Sequence, residues 1–160
     1  MAQTRQLAAI MFTDIVGYTA LMGEDERKAL NILEQNRETH KKLIIQYQGK
    51  YLKEIGDGSL ATFNSSTDAV YCAGKLIKAS KVLGYQLKVA LHEGEVVYDN
   101  NDVFGDGVNI TARLESEAGP GQIFSTASIS RNVKNKEGIS ISFIGEKYSK
   151  MYPTHLRFIA

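Results

Sequence analysis

Leu7-Ala8-Ala9-Ile10-Met11-Phe12-Thr13-Asp14 is the stretch on which the fold turns. The continuous apolar run from Leu7 to Phe12 reads as a buried strand. Asp14 then stands at a strand end. Outward from it, Glu24 to Tyr47 reads as one long helix, with Ala29, Leu33, Asn36, His40, Leu43 and Tyr47 at steps of four and three. Gly49 ends it. Tyr51–Ile55 and Ser59–Phe63 read as a hairpin around Gly56-Asp57-Gly58. Ser65 and Asp68 open a helix that runs to about Lys81. Leu87, Val89 and Leu91 alternate on one face of a strand, and Val96–Tyr98 reads as its hairpin partner. A polar loop, Asp99–Asp102, leads to a helix from about Asp106 to Ser116, stopped by Gly119-Pro120-Gly121. Ile139, Ile141 and Phe143 form another strand, and His155 to Ile159 a short last one. The expected fold class is α+β, with helices packed on a mainly antiparallel sheet.

The chain has 160 residues, which predicts one domain over 1–160. Its 19 basic and 18 acidic side chains leave a net charge of +1, which argues against nucleic acid or a membrane surface as partner. No apolar run is long enough to span a bilayer, and no signal-peptide pattern opens the sequence. A single cysteine, Cys72, fits a reducing compartment, so the expected location is cytoplasmic. The apolar neighbours of Cys72 place it on a buried helix face.

Three short motifs carry the chemistry: Phe12-Thr13-Asp14-Ile15-Val16-Gly17, Lys53-Glu54-Ile55-Gly56-Asp57-Gly58, and Asp102 through Arg113. Asp14 and Asp57 converge if their strands are neighbours. Mg²⁺ typically binds through one or two carboxylates plus substrate phosphates, and phosphoryl transfer needs chiefly positioning and charge neutralisation. Each motif has a plainer reading. An Asp-Gly pair is a common hairpin turn, Asp14 suits a helix cap, and Lys53 alone suits a solvated strand. A calcium loop starting at Asp99 fails, because Phe104 stands where its glycine belongs and Ile110 where its glutamate belongs. Asn109 and Arg113 are four apart and share a helix face, where an Arg113–Glu117 pair is the plain alternative.

Taken together, the motifs closely resemble the catalytic domain of class III nucleotidyl cyclases, over roughly Leu7 to Phe158. The resemblance implies a ferredoxin-like βαββαβ-type sheet with added strands, although the element order alone does not separate this from other split βαβ folds. It implies conversion of ATP to 3′,5′-cyclic AMP and pyrophosphate, with two Mg²⁺ or Mn²⁺ ions per site held by Asp14, Asp57 and the backbone carbonyl of Ile15. Lys53 and Asp102 match the positions that read the purine. A lysine donating to adenine N1 and an aspartate accepting from its amine point to ATP, since guanine presents the opposite edge. Asn109 matches the residue that orients the ribose and Arg113 the one that meets charge developing at the α-phosphate. The resemblance also implies a head-to-tail homodimer with shared sites, and a fused or separate regulatory domain.

The match departs from the family pattern late in the chain. Ser149-Lys150-Met151 replaces the usual Leu-Lys-Gly, leaving Lys150 as the expected triphosphate ligand with Lys147 as its rival. Gln122 stands where some members carry an arginine. The alternatives within the fold are a nucleotide-binding regulatory module without turnover and a guanylate cyclase. A diguanylate cyclase is disfavoured because no Gly-Gly-Asp-Glu-Phe run occurs. His92 is read as structural.

Overall fold

The structure, a computed structural model, describes residues 3–100, 102–143 and 154–158. Thirteen elements follow in order: β1 (Thr4–Ile15), α1 (Tyr18–Glu24), α2 (Glu26–Gln46), β2 (Lys50–Ile55), β3 (Gly58–Phe63), α3 (Ser66–Leu83), β4 (Leu87–Asp99), β5 (Asp102–Phe104), α4 (Asp106–Glu115), β6 (Ile123–Ser125), α5 (Ala127–Val133), β7 (Ile139–Phe143) and β8 (Thr154–Phe158). Among the described residues the strands form one sheet in the order β2-β3-β1-β4-β6-β8-β7, with β5 paired to β4. Its first four strands, β2-β3-β1-β4, are all antiparallel neighbours, which is the ferredoxin-like core. β6 joins β4 in parallel.

The apolar run of β1 is explained by helices on both sides of the sheet. Ala9, Met11 and Ile15 face a core built with Ile44 of α2, Leu76 of α3 and Ile129 of α5. Ala8, Ile10 and Phe12 face the opposite side, with Leu60, Val96 and, from α4, Val108 and Ala112. Burial starts at Ala8 and not at Leu7, which is exposed at the outer end of the strand. Alternation therefore assigns Thr13 to the α2–α3 side and Asp14 to the α4 side.

Several local expectations change. The long helix starts at Glu26, because Asp25 caps it: the Asp25 carboxylate accepts from Lys28 N at 3.1 Å and breaks the helical path after α1. Its buried stripe is Ala29, Ile32, Asn36, His40 and Ile44, while Leu33, Leu43 and Tyr47 pack at the margin. Gln48 takes the left-handed conformation after the helix, at φ 62. Gly49 is needed for a different reason: a Cβ there would stand 2.5 Å from the Phe63 ring.

Val96–Tyr98 is not a hairpin partner of Leu87–Leu91. Both belong to β4, which runs on through Gly94 because β1 is long enough to pair with it from Ile15↔Leu87 to Thr4↔Tyr98. The reversal falls instead at Asn100, with φ 59, and the partner is β5. β6 and α5 lie between Gly121 and Ile139, a stretch expected to belong to a β-rich tail, and α5 is a helix within it. Ser65 caps α3 as expected, accepting from Asp68 N at 3.3 Å, and Gly84 ends it at φ 93. Cys72 is buried, and burial pushes its thiol up to about 12.

Candidate active site

Asp14 and Asp57 meet because β1 and β3 are neighbours in antiparallel register, with Thr13 opposite Ser59. The tight β2–β3 turn then hangs Asp57 beside the end of β1. Gly56 adopts φ 63 in that turn. Gly58 permits the close approach: a Cβ on it would lie 2.7 Å from the Thr13 carbonyl oxygen and 3.6 Å from Asp14 Oδ1. The Asp14 carboxyl is pushed up to about 7, first by burial, then by its hydrogen bond to Asp57 and by the charges of Asp57 and Glu115. Burial and the neighbouring negative charge thus favour the protonated form of Asp14.

Two further residues complete the cluster. Lys88 lies directly opposite Asp14 in the β1–β4 ladder, and its Nζ is 3.8 Å from Asp14 Oδ2 and 3.7 Å from Glu115 Oε1. These separations are ion pairs longer than hydrogen bonds. Glu115 Oε1 is buried without a hydrogen-bond partner, and burial holds its carboxyl above the usual range. The sequence carries a signal for Lys88. If Leu87, Val89 and Leu91 face one side of the strand, Lys88 must face the other. Glu115 has no comparable signal.

Lys53 and Asp102 form an ion pair, Nζ to Oδ1, at 2.9 Å. Asp102 Oδ1 also accepts from Val103 N at 2.8 Å, and the Lys53 bond foremost holds its carboxyl below the usual range. A β-bulge makes the pair. Tyr51 opposes Ala61, but Lys53 opposes Leu60, so Leu52 is the extra residue. Regular alternation would have placed Lys53 on the same side as Tyr51, toward α2. The bulge re-aims it to the α4 side, where β5 delivers Asp102.

On α4, Gly107, Thr111 and Leu114 are buried, while Asn109 and Arg113 are exposed on a shared outer face. Glu115 points into the sheet toward Lys88. At about 100° per residue, Arg113 lies about 200° around the helix from Glu115. Ile15 is the last residue of β1, directly after Asp14. Gly17, at φ 72, turns the chain into α1, whose first turn has no side-chain cap. Lys150 and Lys147 lie outside the described residues. His92 is structural, as expected: its Nδ1 and Thr126 Oγ1 are 2.6 Å apart, tying β4 to the start of α5.

Among the described residues, no group of three or more His, Cys, Asp or Glu side chains converges as a metal cage. The donor set nevertheless fits Mg²⁺ or Mn²⁺ in the mode that leaves most positions to water and phosphate. Asp14 and Asp57 offer hard oxygen ligands, and their mutual crowding is relieved by a cation. Among the described residues no helix is long and apolar enough to cross a membrane.

The sheet has a ferredoxin-like core in which Asp14 stands one residue before the end of the central strand and the adjoining hairpin sets Asp57 beside it. Residues 1–152 match the adenylate and guanylate cyclase catalytic domain family, and the chain belongs to that family. It is 33% identical over 156 residues to a Rhizobium meliloti protein named "Putative adenylate cyclase 3", covering 92% of this chain but 26% of that protein. The chain thus spans about a quarter of that relative's length. The crystal structure of an adenylate/guanylate cyclase/hydrolase from Silicibacter pomeroyi superposes with a TM-score of 0.87 at 26% identity, covering 99% of this chain and 100% of that one. The adenylyl cyclase CyaB from P. aeruginosa shares the fold, with a TM-score of 0.88 at 19% identity over 100% of this chain and 97% of that one.

Proposed function

We propose that residues 1–160 form a single adenylate cyclase catalytic domain that makes 3′,5′-cyclic AMP and pyrophosphate from ATP at two composite sites of a homodimer. The observation that carries the composite site is the division of labour on α4. Glu115 faces the Asp14–Asp57 pair of its own chain, whereas Arg113, about 200° around the helix, faces away from it. Asn109 and Arg113 therefore serve the aspartate pair of a second copy.

In this reading Asp14, Asp57 and the Ile15 carbonyl of one subunit hold two Mg²⁺ or Mn²⁺ ions. When bound, those ions acidify the ribose 3′-hydroxyl and neutralise the triphosphate. Lys53 and Asp102 of the other subunit take the adenine edge. In the free protein they satisfy each other, and an exposed pair of this kind opens at little cost. Asn109 orients the ribose so that its 3′-oxygen lies in line with the α-phosphorus. The new bond forms there as the bond to the bridging oxygen breaks and pyrophosphate leaves. Arg113 meets the charge that develops on the α-phosphate. Lys88, beside Asp14, and Lys150 supply positive charge toward the triphosphate. Buried, inert Cys72 is in keeping with a cytoplasmic protein, and the longer relative with regulatory segments flanking such a domain.

The test is incubation with ATP and with GTP, each with Mg²⁺ or Mn²⁺, with products identified by mass. Cyclic AMP from ATP is the expected product. Cyclic GMP alone would move the assignment to a guanylate cyclase. Nucleotide binding without any product would reduce it to a regulatory module.

A further inference from the structure

Behind the site, on the opposite face of β1, lies a buried polar chain that the reaction does not use. Thr13, Asn36 and His40 are almost fully buried, and Tyr85 nearly so. Thr13 Oγ1 and His40 Nε2 are 2.7 Å apart. His40 Nδ1 lies 2.8 Å from the Asn36 carbonyl oxygen, one helical turn back. A carbonyl only accepts, so Nδ1 carries the proton, Nε2 presents a lone pair, and the Thr13 hydroxyl donates to it. Tyr85 Oη then donates to Asn36 Oδ1 at 2.9 Å. Burial lowers His40 to about 4, which keeps the ring neutral and this polarity fixed at neutral pH.

The chain joins three segments around Asp14. Thr13 directly precedes it. Tyr85 leads into β4, whose Lys88 lies opposite it. Val16 N bonds Gln86 O at 2.9 Å, closing the same corner. Because side chains alternate across a strand, a grip on Thr13 from the α2 side fixes the peptide that aims Asp14 to the α4 side. The Thr13 carbonyl is also the oxygen that Gly58 approaches, so the same residue sets the gap between Asp14 and the Asp57 turn.

We propose that His40 is a positioning residue that acts through the Thr13 hydroxyl to hold Asp14 at the geometry the metal pair requires. The inference rests on the cyclase reading above. Stability alone does not explain this chain of bonds, since replacing both partners of a buried hydrogen bond by apolar groups of similar shape is often nearly neutral. Removing an outer partner that orients a metal ligand typically weakens metal binding or activity by about ten- to a hundredfold.

The test uses the full chain with 3′-deoxy-ATP, which lacks the attacking hydroxyl. Bound Mn²⁺ is counted by electron paramagnetic resonance, and melting is followed in parallel. Thr13→Val and His40→Leu are each expected to lower the melting temperature, because each strands a buried polar partner. The double variant is expected to recover most of that loss yet bind Mn²⁺ about ten- to a hundredfold more weakly than wild type. Thr13→Ser keeps the hydroxyl and is expected to bind Mn²⁺ close to the wild-type level. A double variant that melts like wild type and binds Mn²⁺ within about twofold of it overturns the positioning role. If the double variant does not fold, Thr13→Val alone is read by the same titration and the same criterion. A wild-type chain that neither binds Mn²⁺ with 3′-deoxy-ATP nor cyclises ATP overturns the cyclase reading and this inference together. A wild-type chain that does both, beside an unaltered double variant, overturns this inference only.

Discussion

Lys53 Nζ on β2 and Asp102 Oδ1 on β5 stand 2.9 Å apart although the two strands do not pair in the sheet, one a donor and one an acceptor. That polarity matches adenine and mismatches guanine. Lys53→Glu combined with Asp102→Cys is expected to lower the ratio of kcat/KM for ATP over GTP by about a hundredfold or more, because mismatched polar groups are then left against the wrong edge. The pair is more than a third exposed, so folding stability is expected to stay close to wild type. Steady-state kinetics with both nucleotides check this. An unchanged ratio means that these residues do not read the base.

Gly58 tests the spacing of the metal pair without touching a carboxylate. An alanine Cβ would stand 2.7 Å from the Thr13 carbonyl oxygen, and a backbone atom cannot swing aside as a side chain does. Gly58→Ala is expected to destabilise the chain by about 1–3 kcal/mol, in the range of overpacked cores. It is also expected to raise the Mg²⁺ concentration needed for half-maximal turnover, by pushing the Asp57 turn away from Asp14. Denaturant unfolding and a metal titration of activity measure the two effects. A normal metal requirement in a destabilised variant would separate the turn from the site.

Asp14 contributes an inverted pH dependence to the stability of the metal-free protein. Its carboxyl titrates at about 7 when folded against 3.8 ordinarily, so between those values the folded state binds more protons than the unfolded one. Its contribution to stability therefore falls as pH rises across that window. Glu115 shifts in the same direction, whereas His40, neutral when folded but protonated below about 6.5 when unfolded, contributes in the opposite one. In chelator, Asp14→Asn is expected to gain melting temperature relative to wild type as pH rises from 4 toward 7, because the variant lacks the falling contribution of Asp14. Mg²⁺ must displace the proton of Asp14, so its affinity is expected to tighten as the solution passes above neutrality. A melting profile in which Asp14→Asn parallels wild type would remove Asp14 as the titrating group.

The sequence reading and the structure agree where one residue's neighbours dictate its place. The apolar run into Thr13 and Asp14 identifies a buried strand, and the Gly56-Asp57-Gly58 turn identifies a hairpin. Lys53 was assigned through the family motif, and its aim depends on a bulge at Leu52 that no local pattern announces. Val96–Tyr98 reads as a hairpin partner in the sequence, but no turn falls before it at Gly94. In the fold it is an extended residue paired with Ala8, a consequence of how far β1 reaches. His40 was visible as one member of a helical stripe. Its hydrogen bond to Thr13 joins residues 27 apart in the chain, and only the packing of α2 on β1 creates it. Glu115 was missed for the same kind of reason, since its partner Lys88 comes from another element.

The disposition of α4 yields the sharpest prediction. If Asp14 and Asp57 work with Lys53, Asp102, Asn109 and Arg113 of a second copy, then two inactive variants repair each other. An Asp14→Ala homodimer has both sites broken, and so has an Arg113→Ala homodimer. A mixed dimer gathers both defects in one site and leaves the other entirely wild type. Losing one preorganised charge-stabilising donor typically costs about 10²–10³ in rate, so one restored site rises well above either background. At equal concentrations with random exchange about half of the dimers are mixed, each with one working site, and activity approaches about a quarter of wild type per total chain if the sites are independent. It falls on dilution if the dimer is weak, since assembly follows mass action. A cyclic AMP assay on each variant and on the mixture, with subunit exchange measured separately by labelled chains, decides the matter. Exchange without recovered activity would place the whole reaction within one subunit, and Arg113, turned about 200° from Glu115 on α4, would then need another role.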